Sequence, residues 1–125
     1  MTVVLIVEDN PRNLKLVRDV LEHAGYRTLE ATTAEDGLTL ADAHRPDLVL
    51  MDVQLPGMDG VQALERLRAD PATNGIPVVA VTAFAMKEDR ARFLAAGFDG
   101  YLEKPISVRE FPGQVAEMLK HAARA

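Results

Sequence analysis

Five short apolar runs, each followed by a longer stretch of helical spacing, alternate without interruption along this chain: Val3–Val7, Tyr26–Ala31, Leu48–Met51, Val78–Val81 and Gly100–Leu102. Such alternation between strand and helix periods marks βα units. The first, third and fourth runs carry no polar residue on either face, and a strand apolar on both sides has to be covered on both sides. The expected fold is therefore a doubly wound α/β sandwich, a five-stranded parallel sheet with five helices over its two faces. No linker, low-complexity tract or repeat divides the chain, so residues 1–125 read as one domain.

Local signals set the helix limits. Asn10 stands where a cap is needed, Pro11 takes the first helical position, and Leu14, Val17 and Leu21 share one face before Gly25 stops the helix. Thr33 with Asp36 opens a second helix that ends before Pro46. A third spans Val61 to Arg68, and a fourth runs from Met86 to Ala96 and closes at Gly97. Ser107 with Glu110 opens the fifth, but Pro112 and Gly113 fall too late for an ordinary first-turn proline, so a late start or a kink is expected there.

Composition removes several function classes. With 48% hydrophobic and 26% charged residues the chain is an ordinary globular domain rather than a disordered or coiled-coil one. The absence of cysteine excludes a disulfide framework, a thiolate nucleophile and a zinc–thiolate site, and it fits a cytoplasmic setting. His23, His44 and His121 lie far apart on expected helices without metal-ligand spacing, so each reads as surface. A formal charge of −5 argues against direct nucleic-acid binding, and no apolar run approaches a membrane span.

In open parallel sheets ligands bind beyond the carboxyl ends of the strands, so the residues closing each run carry the functional signal. The first run closes on Glu8 and Asp9, the third on Asp52, the fourth on Thr82, and the fifth on Glu103 and Lys104 before Pro105. Singly, each acid reads as a cap or loop residue, as Asp36, Asp47, Asp59 and Asp99 do beside their helix starts and turns. Three carboxylates on one rim together with a lysine and a hydroxyl are different. Carboxylates so close repel unless a cation intervenes, and with hard oxygen ligands alone Mg²⁺ is the natural choice.

The stretches VLIVEDNPRNLKLV, DLVLMDVQLPGMDG, IPVVAVTAFAM and YLEKPIS closely resemble the receiver domain of two-component response regulators, over essentially the whole chain. The resemblance implies a CheY-like, flavodoxin-type (βα)5 fold with strand order 2-1-3-4-5. It implies Asp52 as phosphoacceptor, Glu8 and Asp9 as the acidic pair, Thr82 as switch hydroxyl, Lys104 as phosphate ligand, Tyr101 as switch aromatic, and a cis Lys104–Pro105 bond. Asp9, Asp52 and the Gln54 backbone carbonyl would hold Mg²⁺ directly, with Glu8 acting through a water. The implied partners are a sensor histidine kinase or histidine phosphotransferase, and a downstream protein on the face of the fourth helix, fifth strand and fifth helix. The expected role is signalling rather than enzymatic turnover.

Three other readings fit less well. A haloacid-dehalogenase-type phosphatase needs a second Asp where this chain has Gln54, and a flavodoxin-like FMN binder needs a Ser/Thr/Gly loop where it has the anionic EDN. A pseudo-receiver that only binds partners would lack the acceptor, the acidic pair or the lysine, and all are present. Slow self-dephosphorylation is expected, because Gln54 offers a hydrogen-bonding side chain beside the acceptor while Phe84 offers only an apolar ring. Met1 and a fifth helix closing near Ala125 favour a stand-alone regulator.

Overall fold

The first, third and fourth runs become strands because their β-branched and leucine side chains fill a pleated surface covered on both sides, while the second and fifth form edge strands that are only partly covered. A computed structural model describes residues 1–83 and 86–124. In chain order the elements are β1 Val3–Val7, α1 Pro11–His23, β2 Arg27–Ala31, α2 Ala34–His44, β3 Leu48–Asp52, α3 Gly60–Ala69, β4 Val78–Thr82, α4 Lys87–Ala96, β5 Gly100–Glu103 and α5 Phe111–Arg124. All strand pairs are parallel, in the order β2-β1-β3-β4-β5. Val7 pairs with Met51, Asp52 with Val81 and Thr82 with Glu103, so the carboxyl ends of the four strands lie level along one rim.

Alternate residues of the central strands face opposite layers, as a period of two requires. Leu5, Val7, Val49, Met51 and Ala80 pack with Ala34, Ala41, Leu64 and Phe93 of α2, α3 and α4. Ile6, Leu50, Val79 and Val81 pack with Val17 and Leu21 of α1 and Phe111 and Val115 of α5. Among the described residues no helix is long and apolar enough to cross a membrane.

Most helix ends follow their local signals. Asn10 Oδ1 accepts from the N–H groups of Arg12 and Asn13, Thr33 caps α2, and Asp59 forms a reciprocal capping box with Gln62 at the start of α3. Strands β3, β4 and β5 each run one residue past their apolar run, because Asp52, Thr82 and Glu103 still pair in the ladder despite their polar side chains. Strand β2 starts at Arg27 rather than Tyr26, α1 ends at His23 with Gly25 turning the chain at a φ of 97°, and α4 starts after Met86, which serves as its cap.

The fifth helix differs more. Ser107 Oγ accepts from the Glu110 N–H at 3.3 Å, but this closes a separate turn and the helix begins at Phe111. Pro112 has no N–H to offer the Val108 carbonyl, so the helix cannot be continuous from Ser107; it starts late, with Pro112 in its first turn where that N–H is not needed.

One side chain ties three segments together. From the last turn of α3, Arg68 Nη1 donates to the carbonyls of Asn74 at 3.2 Å and Ile76 at 2.7 Å, and Nη2 donates to Gly97 O at 3.4 Å and Asp99 Oδ2 at 2.7 Å. Asp99 Oδ2 also accepts the Val78 N–H at 2.8 Å. Asp99, expected to be a plain turn residue, therefore joins the start of β4 to the turn after α4. Arg68→Met keeps the aliphatic stem but strips these charge-assisted bonds, and should cost about 1–2 kcal/mol after allowance for partial exposure. The check is urea unfolding: the midpoint should fall with an unchanged slope.

Candidate functional site

Because the strands run parallel, residues from four of them meet on the rim. Glu8 and Asp9 follow β1, Asp52 ends β3, Thr82 ends β4 and Lys104 follows β5. Glu8 and Asp52 are each 4% exposed and Thr82 is fully buried, whereas Asp9 is open to solvent. One carboxylate oxygen from each of Glu8, Asp9 and Asp52 lies within 4.8 Å of the others. Lys104 Nζ lies 3.0 Å from Asp52 Oδ2 and 3.1 Å from Glu8 Oε2, bridging the two buried acids. The other Asp52 oxygen accepts the Gln54 N–H at 3.0 Å, and Glu8 Oε1 accepts the Asn10 N–H at 3.3 Å.

Backbone contacts fix these groups. The Lys104 N–H donates to Thr82 O at 2.8 Å, and the Lys104–Pro105 peptide bond is cis. The Gly60 N–H donates to Val53 O at 3.0 Å, drawing the start of α3 against the end of β3. A Cβ on Gly60 would lie 2.6 Å from the Asp52 carbonyl oxygen and 2.8 Å from Val53 Cα. The site therefore needs a residue without a side chain at position 60. In the sequence the trace of this is a glycine directly after a capping Asp, where helix propensity alone would disfavour it.

A profile of the response regulator receiver domain matches residues 4–116. The chain belongs to this family. The receiver domain is 49% identical over 108 residues to the polar-differentiation response regulator DivK of Brucella anthropi, covering 86% of this chain and 88% of that protein. It is 48% identical to DivK of Brucella ovis over the same shares. Among solved structures, a CheY-like response regulator receiver domain protein of Methanospirillum hungatei superposes with a TM-score of 0.88 at 31% identity, over 99% of this chain and 98% of that one. The receiver domain of a sensor histidine kinase from Pseudomonas aeruginosa, solved with magnesium in its active site cleft, gives 0.86 at 33% identity over 95% of this chain and 98% of its own.

Of the residues singled out from sequence, the receiver domain brings Glu8, Asp9, Asp52 and Lys104 into one cluster, with Thr82 beside them at the end of β4. Gln54 is exposed and meets Asp52 through its backbone N–H. Tyr101 stands apart from the cluster: it pairs with Ala80 on β5 and is half buried on the α4 side of the sheet. Phe84 lies outside the described residues. The three histidines are exposed.

The donor set suits a small divalent cation. It offers three carboxylates and no softer ligand, and exposed Asp9 leaves one side accessible to water. Without such a cation the pocket opposes its own charge. Burial and then the Asp52 charge raise the Glu8 pKa above the usual carboxylate range, against the pull of Lys104. Burial also works against the Lys104 ammonium, but its hydrogen bonds to Asp52 and Glu8 outweigh this and hold its pKa above the ordinary lysine value.

The signs have a consequence for stability. A raised Glu8 pKa favours folding fully below the unfolded value, and that contribution is lost as pH rises through the folded value. At neutral pH an ionised Glu8 is therefore a burden on the metal-free fold. Lys104 works the other way there, its contribution being complete below the ordinary lysine pKa and lost only as alkaline pH passes its raised value. Glu8→Gln should raise the metal-free melting temperature by a few degrees near neutral pH, with the gain shrinking toward pH 4. Scanning calorimetry in chelator across that range is the check.

Proposed function

We propose that this receiver domain accepts a phosphoryl group on Asp52 from a phosphohistidine of a sensor histidine kinase or a histidine phosphotransferase. The observation that carries this reading is the position of Asp52: a nearly buried carboxylate at the end of a central strand, one oxygen held by Lys104 at 3.0 Å and the other by the Gln54 N–H at 3.0 Å. Both contacts orient the carboxylate, and phosphoryl transfer depends chiefly on alignment and on charge stabilisation. The phosphorus–nitrogen bond of the donor breaks as a phosphorus–oxygen bond to Asp52 forms. Lys104 then follows the new phosphoryl oxygens, and the Thr82 hydroxyl donates to another of them.

In this reading Asp9, Asp52 and the Gln54 carbonyl would hold Mg²⁺ directly, with Glu8 acting through a water. Bound there, Mg²⁺ would neutralise the carboxylates and the charge on the equatorial phosphoryl oxygens. The product places added charge and acceptor oxygens beside Thr82. Thr82 moving toward them opens room that the Tyr101 ring can fill, so phosphorylation favours one of two arrangements of α4, β5 and α5 and changes what a downstream protein meets there.

Incubation with acetyl phosphate and Mg²⁺ should add one phosphoryl group to the intact mass of the wild type and none to Asp52→Asn, which keeps the shape and loses the nucleophile. Labelling of Asp52→Asn at full stoichiometry would end the assignment. Asp9→Ala should weaken Mg²⁺ binding at least tenfold, since it removes a charged ligand. Titration followed by chemical shifts of the Glu8 and Gln54 amides reads this directly, and an unchanged affinity would refute the role of Asp9.

A further inference from the structure

Tyr101 lies on the same sheet face as Thr82. In the β4–β5 register Ala80 pairs with Tyr101 and Thr82 with Glu103, and residues two apart share a face. The Tyr101 ring packs against the cluster that contains Ala80 and Phe93, and one side of it remains open. The Arg90 guanidinium lies over the ring, 5.0 Å from its centroid. Arg90 stands one helical turn before buried Phe93, so the residue that anchors α4 also aims Arg90 across the sheet edge at β5. Among the described residues Arg90 makes no ion pair, whereas neighbouring Asp89 is engaged by Arg92 at 3.4 Å.

We propose that Arg90 is a positioning residue: its guanidinium closes over the Tyr101 ring and holds it in this half-buried placement, joining the start of α4 to β5. A cation over the face of an aromatic ring is attracted by the ring quadrupole and also shields the face from water. A ring turned out to solvent leaves that contact behind. The link to phosphorylation rests on the switch role proposed for Tyr101: where the ring's placement differs between the two forms, linkage carries the clamp's effect to the phosphoryl site.

The test compares wild type with Arg90→Met, which keeps the stem and loses the charge, with Arg90→Lys, which keeps a cation, and with Arg92→Met. Arg92 also lies over a ring, 4.9 Å from the Phe93 centroid, and so controls for general effects on α4. Tyr101 side-chain rotamer populations come from three-bond couplings to its Cγ, and the affinity for a beryllium fluoride phosphoryl mimic in Mg²⁺ comes from titration. Arg90→Met should raise the ratio of exposed to half-buried ring about two- to fivefold and change the affinity for the mimic by up to the same factor. Arg90→Lys should recover part of both, and Arg92→Met should leave the ring ratio unchanged. A ring ratio in Arg90→Met equal to the wild type overturns the clamp whatever the mimic does. A ring that shifts in Arg90→Met but does not differ between free and mimic-saturated wild type retains the clamp and overturns the switch role of Tyr101 instead.

Discussion

Two carboxylates that are each 4% exposed cannot stand side by side without a cation, and here the cation follows β5, two places from β3 and three from β1 in the sheet. Removing two like charges from water costs several kcal/mol per ion unless opposite charge and hydrogen bonds replace the lost hydration. Lys104 supplies charge to both at 3.0 and 3.1 Å, while the amides of Gln54 and Asn10 supply the bonds. Parallel pairing is what lets distant parts of the chain meet this need, because every strand delivers its carboxyl end to the same rim. The apolar layers on both faces keep the lower side of the rim dry, and Asp9 leaves its upper side wet.

The site is therefore poised rather than settled. The fold supplies enough positive charge to hold Asp52 and Glu8 in place and too little to make Glu8 comfortable there, since burial and its neighbour still raise its pKa. Added positive charge at the rim relieves that tension. Proteins commonly retain such locally unfavourable groups where binding or chemistry uses them, with stability drawn from elsewhere. Here it comes from the uninterrupted core on either side of β1, β3 and β4.

Much of this was legible from sequence because two periodicities and one register carry it. Three strands apolar on both faces require a covered parallel sheet, and the residues closing the runs mark its rim. The apolar runs stop one residue short of the ends of β3, β4 and β5, where Asp52, Thr82 and Glu103, the polar residues that close them, still pair through their backbones. Pro112 was legible as a conflict with Ser107, and the late start that resolves it puts Phe111, buried in the α1–α5 layer, at the first helical position. Gly60, Arg68 and Arg90 were not legible, because each acts through partners distant in sequence or on a backbone atom. Asp99 shows the same limit: the side chain was read as local, and its two partners are 21 and 31 residues away.

The attachment of α4 is uneven along its length. Its carboxyl end is fastened by Phe93 in edge contact with Phe98, by Gly97 at a φ of 113°, and by the Arg68 bond to the Gly97 carbonyl. Its amino end starts from Met86, which gives no side-chain acceptor to the first free N–H groups, and the residues of that turn are largely exposed. Local opening of a helix begins where few contacts have to be broken. In native-state hydrogen exchange the amides after Phe93 should therefore behave as part of the global unfolding unit, and those of the first turn should open on their own. A helix divided in this way acts as a spring clipped at one end, yielding to a partner at its start while its far end keeps the sheet edge in register.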